Sequence, residues 1–364
     1  MIRLALPVLA LGALVVPHVI AQAKVTMISP KLGITKDDYY AENMPYSWYA
    51  TRYQQVHDAG SFDNPGLARL RSLTYRMPYP RQGGEAVEVA IWLSWTPKGI
   101  DSRSCSSNFA TNIDAATRRL VLKRAKIYLP STSYTNEWSF RLPFDSGVSF
   151  LYGGLLARNL LIETRSYGND QGGVPFNHPL DLWRLRGTST RTGSYPGCYS
   201  SNRTRPTVLH TSTPEEYLVP GSTGHGSWGV SWVPSIPAVL TIGGTPLNLP
   251  MPGSSCEIAN DILVAVPGTT RGPTWEGDYF VPLPIPNDPG LGGVTFLTQM
   301  FFMDKAANQL GITSTAGLTN RIATVPPASV SRIYAYDTSG KVGPDKQTTG
   351  TIDDHSGLMV LLSN

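Results

Sequence analysis

Charge is scarce in this 364-residue chain: Asp, Glu, Lys and Arg make up only 15% of it, and the formal net charge is +4. A disordered chain held open by self-repulsion is therefore excluded. Cysteine is nearly absent, with Cys105, Cys198 and Cys256 alone and no Cys-x-x-Cys spacing. That removes zinc ribbons and thioredoxin-like redox sites, and the odd count leaves one thiol over. No His-Glu-x-x-His segment occurs, so the helical ligand pair of a zinc protease is missing. Beyond residue 23 no apolar run approaches the roughly 18 residues that a membrane-spanning helix needs.

Glycine and proline are plentiful instead, at 35 and 30 residues. They would interrupt helices repeatedly, which argues against a helical bundle or coiled coil. Hydrophobic residues at 41%, with 17 Tyr, 10 Phe and 8 Trp, suffice for sizeable cores.

Residues 1–23 read as a signal peptide: Arg3, then an apolar stretch from Leu4 to Ile20, then Ala21-Gln22-Ala23. The mature chain is expected to start at Lys24 and to be secreted, with no transmembrane segment. Charge is uneven beyond that point. Residues 24–195 hold 21 Lys and Arg against 14 Asp and Glu, whereas residues 196–364 hold 8 against 12. The basic half suits acidic glycans or an anionic surface, or is simply solvated. Its one cluster is Arg118, Arg119, Lys123, Arg124 and Lys126, and no nucleic-acid motif accompanies it.

Strand signals dominate. In Ala86 to Trp95 the residues Val87, Val89, Ile91, Leu93 and Trp95 share one parity, the period of a sheet with one buried face. Similar stretches run at 120–129, 140–144, 155–164, 230–233, 238–242, 262–266, 279–285 and 294–303, with turn clusters between them. Many short strands with regular turns predict an all-β chain of two β-sandwich domains, the first jelly-roll-like. Short helical turns are expected at Thr35–Asn43 and Asp304–Leu310. The stretch 187–206 lacks large aliphatic residues and reads as a linker. The expected layout is an N-terminal domain over 24–191, a linker over 192–206 and a C-terminal domain over 207–364. Strands at Ser331–Tyr336 and Leu358–Leu362 are expected to close the second sandwich.

Several constellations bear on chemistry. Gly224-His225-Gly226-Ser227-Trp228-Gly229 matches a dinucleotide fingerprint, but a strand-like segment follows where a helix is required, so a Gly-rich turn is expected. His57, His178, His210, His225 and His355 sit in polar surroundings and are expected to be solvated; Asp353-Asp354 would favour protonated His355 if they lie close. Paired carboxylates for glycoside hydrolysis would draw on Glu85, Glu88, Glu163 and Asp181. Structural calcium would use Asp58, Asp63 and Asn64, or Asn169 and Asp170, although turn chemistry also accounts for them, and no other cofactor is expected. Tyr39, Tyr40, Tyr46, Trp48 and Tyr49 crowd eleven residues. Such rings stack on sugar faces or pack a first strand, and Tyr46, Trp48 and Tyr49 are the ligand-binding expectation.

Several segments together resemble a family of secreted, two-domain β-rich proteins from planctomycete-type bacteria. They include Thr51-Arg52-Tyr53-Gln54-Gln55-Val56, Trp92-Leu93-Ser94-Trp95-Thr96-Pro97, Gly197-Cys198-Tyr199-Ser200-Ser201-Asn202, Pro252-Gly253-Ser254-Ser255-Cys256 and Leu283-Pro284-Ile285-Pro286-Asn287-Asp288-Pro289. The resemblance implies extracellular display without established catalysis. It also implies that Cys198 and Cys256 are disulfide partners, with Cys105 the spare thiol. The expected function is a non-enzymatic structural or adhesive role at the cell surface or in the extracellular matrix. Partners would be a glycan or other surface proteins. A secreted polysaccharide hydrolase or esterase and a self-assembling fibre subunit are the alternatives.

Overall fold

The computed structural model describes residues 25–34, 40–64, 66–153, 158–202, 207–211, 215–272, 277–339 and 341–364. The expected leader therefore lies outside the described residues, as does part of the predicted turn at 35–43. The chain is all-β, with 48% strand; among the described residues every strand pairing is antiparallel and no helix reaches seven residues. Among the described residues no helix is long and apolar enough to cross a membrane. Asp304–Leu310 forms irregular turns rather than a helix.

A six-stranded sheet runs in the order Thr351–Asp353, Val330–Tyr336, Thr51–His57, Leu160–Asn169, Ala86–Trp95, Arg119–Tyr128. A four-stranded sheet runs Thr26–Ser29, Val360–Ser363, Ser72–Met77, Glu137–Pro143. Between them lies one apolar cluster. The six-stranded sheet contributes Tyr53, Val87, Val89, Ile91, Leu93, Leu160 and Ile162, and the other sheet contributes Met27, Leu73, Tyr75, Phe140, Leu142, Val360 and Leu362. The alternation legible at 86–95 is thus the inward face of one layer. Each buried Leu or Val contributes about 1.5–3 kcal/mol.

A second group of strands is paired as Thr188–Gly197, Thr313–Arg321, Thr295–Phe302, Pro237–Gly243, Val264–Thr269. Ala238, Leu240, Met300, Phe302 and Leu318 of this sheet meet Tyr279 and Val281 of a three-stranded sheet to form a separate cluster.

Three expectations about layout are overturned. The tail strands do not close the second sandwich: Val330–Tyr336 pairs with Thr51–His57, and Val360–Ser363 sits between Thr26–Ser29 and Ser72–Met77. Alternation marks a strand but names no partner. Here the partner is fixed by buried polar matching, in which the Gln55 amide donates to Leu358 O at 2.9 Å while its oxygen accepts from Leu358 N at 2.8 Å. Residues 192–197 are not linker but strand, with Thr188 to Thr192 paired to Arg321 through Gly317. Small residues are needed there because a Cβ on Gly317 would come within 2.6 Å of Ala259. The Gly-rich segment is likewise a strand, Gly226–Val230, inserted between Val208–Thr211 and Asp278–Pro282. Its glycines permit close approach, since a Cβ on Gly226 would meet the Phe280 ring at 2.5 Å and one on Gly229 would meet Met300 Sδ at 2.4 Å.

Candidate functional site

The predicted aromatic set divides. Tyr46 is 1% exposed and lies edge-on to Tyr75 at 5.4 Å and Phe140 at 5.0 Å, so it belongs to the core and cannot meet a ligand. Trp48 and Tyr49 are half-buried and gather with Tyr336 at the end of the six-stranded sheet. Tyr49 and Tyr336 lie nearly parallel, 14° apart with centroids at 6.0 Å, and Trp48 stands edge-on to both at 5.5 and 6.0 Å. Tyr336 is 43% exposed. The rings make a stepped platform at the rim, supported from below by Trp48, which packs on the main core.

The proposed calcium residues do not converge. Asp58 is buried, accepting from Ser102 N at 2.8 Å and Ser102 Oγ at 2.6 Å, and from Ser329 N at 2.8 Å. Asp63 accepts from Ile28 N at 2.6 Å, and Asn64 from Gly66 N at 3.3 Å. Asn169 closes its own turn through Gln171 N and Gly173 N, and Asp170 accepts from Ala86 N. Asn64 and Asn169 close their own turns, whereas Asp58, Asp63 and Asp170 tie together segments distant in the chain. Among the described residues no three His, Cys, Asp or Glu side chains cluster as metal ligands.

Cys198 and Cys256 form a disulfide, with Cα atoms 5.0 Å apart, which staples the end of Thr188–Gly197 to the loop before Glu257–Asn260. Cys105 is free and packs beside Val56, Phe109, Leu161 and Ile333, and burial pushes its thiol up to about 12.

Four of the five histidines expected to be solvated are not. His57, His178, His225 and His355 are all buried; His210 has no described side chain. Burial lowers His57 to about 3 and His225 to about 4. Neutral His57 accepts from Gln55 Nε2 at 2.9 Å and donates through Nδ1 to Ser29 Oγ at 2.8 Å, a polar thread inside the core. His355 is lowered by burial and by Arg103, against the expectation from Asp353-Asp354. It meets Ser329 Oγ at 3.2 Å, with Asp58 nearby. This trio lacks the relay of a nucleophilic triad. Asp58 holds Ser102 and the Ser329 amide rather than the imidazole, and Ser329 is 1% exposed.

The strand carboxylates are neutralised in place. Glu163 receives Arg52 at 3.0 Å, Arg118 at 3.1 Å and Arg165 at 2.7 Å; Asp181 is paired with Arg76, and Glu88 with Arg124 at 2.7 Å. A glycosidase acid must reach the glycosidic oxygen, and Glu163 is 1% exposed and enclosed by three guanidinium groups.

A cleft of about 510 Å³ lies where segments 184–185, 216–224, 287–289 and 352–355 meet. Arg184 spans it, reaching Glu216 Oε1 and Asp353 Oδ2 at 2.6 Å each, and Arg332 holds Asp353 from the other side at 2.7 Å. Burial pulls the Asp353 carboxyl up, but Arg332 and Arg184 outweigh it and leave Asp353 below the usual carboxylate range. Neighbouring Asp354 is raised by partial burial and by Asp353. Tyr217 and Tyr334 flank these charges. Of the charged and imidazole side chains lining the cleft the sequence pointed to Asp353, Asp354 and His355 alone; Arg184, Glu216, Tyr217 and the rim ring Tyr336 carried no signal there. Ser331–Tyr336 reads as a strand from the sequence, but only its pairing with Thr51–His57 brings Tyr336 to Trp48 and Tyr49.

No protein-family model and no curated protein matches the chain. Among solved structures it aligns with a truncated AlyQ with CBM32 and alginate lyase domains, at 9% identity and a TM-score of 0.19, covering 93% of this chain and 97% of that one.

Proposed function

We propose that the protein is an exported, non-catalytic component of the cell surface or extracellular matrix that holds glycan chains. The observation that carries this reading is the step of exposed Tyr336 and half-buried Tyr49 over Trp48. Flat rings with polar tips present the apolar body on which a sugar face stacks, and a rigid support lowers the cost of ordering them. The leader at 1–23 and the resemblance to secreted β-rich proteins support the export reading. Of the carboxylates that hydrolysis would draw on, Glu88, Glu163 and Asp181 are held in ion pairs, while Glu85 stands apart from them with Oε2 buried and unpartnered among the described residues; the Ser329 of the serine–histidine contact is buried. These features favour holding over cleaving.

The test is a glycan-array screen of residues 24–364 and of Tyr336→Ala, washed with and without chelator. We expect retained glycans that survive the chelator and fall at least tenfold in Tyr336→Ala, while the thermal transition moves little. Uniform absence of binding, or release of new reducing ends from a bound polysaccharide, overturns the reading.

A further inference from the structure

We propose that the outer face of the six-stranded sheet, around Arg118, Arg124 and Lys126, binds an anionic polysaccharide through its carboxylate or sulfate groups. The proposal rests on the glycan reading above and adds a second site, separate from the Tyr336 step, that takes an anionic class of glycan. Val87, Val89, Ile91 and Leu93 enter the core, so Glu88, Ala90 and Trp92 face the other way. Register places Lys126 beside Glu88, and Leu120 and Glu163 on either side of Trp92.

On that face the cations stand over aromatic rings in a row. Arg124 lies 3.9 Å from the Tyr167 centroid, Arg165 and Arg118 lie 4.6 and 4.9 Å from Trp92, and Lys126 lies 5.8 Å from Tyr128. With Arg52 these make five cations, against three carboxylates: Glu88, Glu163 and Asp345. Glu163 is buried among Arg52, Arg118 and Arg165 and fixes them, whereas the side chains of Glu88 and Asp345 are exposed and pair with Arg124 and Arg165. The Arg124 side chain stays 54% exposed, and Lys126 is exposed with no ion pair among the described residues. A ring covering one face of a guanidinium leaves its N–H edge as the open donor, which is the geometry a carboxylate or sulfate accepts. The strand Arg119–Tyr128 has 10 residues and extends roughly 33 Å, so the row faces several sugar units rather than one.

A simpler use of these charges exists. Arg119–Tyr128 is the last strand of its sheet, and cationic side chains on an edge discourage strand addition. That role needs charge alone; it does not need rings set beneath the guanidinium groups.

The experiment is affinity electrophoresis of residues 24–364 through gels containing polygalacturonate, dextran sulfate or neutral dextran, at two salt concentrations. The variants are the double substitution Arg124→Gln/Lys126→Gln, both exposed, and Tyr336→Ala. We expect retardation in an anionic gel that weakens with salt and weakens at least tenfold in the double variant. Tyr336→Ala should change it less than twofold. Which anionic gel retards tells carboxylate from sulfate recognition. Retention on neutral glycans with none in either anionic gel overturns this proposal alone. Absence of all glycan binding overturns the parent reading with it. A double variant that aggregates yet binds as before makes the charges an edge guard and refutes the site. Equal retention by duplex DNA refutes glycan recognition in favour of bulk charge.

Discussion

Replacing Glu163 by Gln tests the electrostatic centre of the six-stranded sheet. Glu163 is 1% exposed, and its Oε1 accepts from Arg52 Nε at 3.0 Å and Arg165 Nε at 2.8 Å. Its Oε2 accepts from Arg118 Nη2 at 3.1 Å and Gln54 Nε2 at 3.4 Å. Glutamine preserves the shape but removes the one negative charge that three guanidinium groups share. Its amide NH₂ also turns a donor towards donors. Breaking a buried pair by removing one partner costs about 3–5 kcal/mol. Asp345 remains on Arg165 at 2.5 Å, which places the expected loss near the lower end, about 3 kcal/mol. That is on the order of a hundredfold in the folding equilibrium. The assay is guanidinium chloride unfolding followed by tryptophan fluorescence, with Trp92 lying against Arg118 and Arg165 as a local reporter. The midpoint should fall at unchanged slope. A loss below about 1 kcal/mol would mean that the guanidinium groups are solvated well enough to do without Glu163, and the reasoning would be wrong.

Three further outcomes follow from the fold. A fragment of residues 24–191 lacks the tail strands Val330–Tyr336 and Val360–Ser363 and should show no cooperative thermal transition; a sharp transition would contradict the pairing. Stability should fall as pH drops. His57 and His225 are held near 3 and 4 in the fold, against about 6.5 unfolded, so the unfolded chain takes up their protons first. The loss is absent above about pH 6.5 and grows below it. It amounts to on the order of 3 kcal/mol between about pH 7 and pH 5, and a flat denaturation midpoint over that window would contradict it. The double substitution Cys198→Ala/Cys256→Ala releases a loop with a sequence separation of 58 and should cost about 4 kcal/mol in equilibrium unfolding. An unchanged midpoint would show that the bond does not constrain the unfolded chain.

How far the sequence speaks depends on the range of the interaction. Period-two alternation at 86–95 and 160–162 is a local signal, and those residues do face the core. The choice of neighbour is not local. Leu358–Leu362 reads equally well as a strand of either sandwich, and its place is set by the side chain of Gln55, more than 300 positions away. The crowded rings at 46–49 show the same limit, because composition is alike while Tyr46 turns inward and Trp48 and Tyr49 turn to the rim. Burial of histidine was illegible because a neutral imidazole needs only one or two partners. For His57 these come from Gln55, two residues along the strand, and from Ser29 on another sheet. The glycines at 226 and 229 looked like a turn; their role is to let Phe280 and Met300 approach.

The claim on which the account turns is that the protein holds glycans without cutting them. The direct measurement is to recover a polysaccharide from its complex with residues 24–364 and compare its chain length with that of the input. The account predicts that a neutral polysaccharide is retained on the protein and lost in Tyr336→Ala, with the chain length unchanged. A shortened polysaccharide carrying new reducing ends would contradict it.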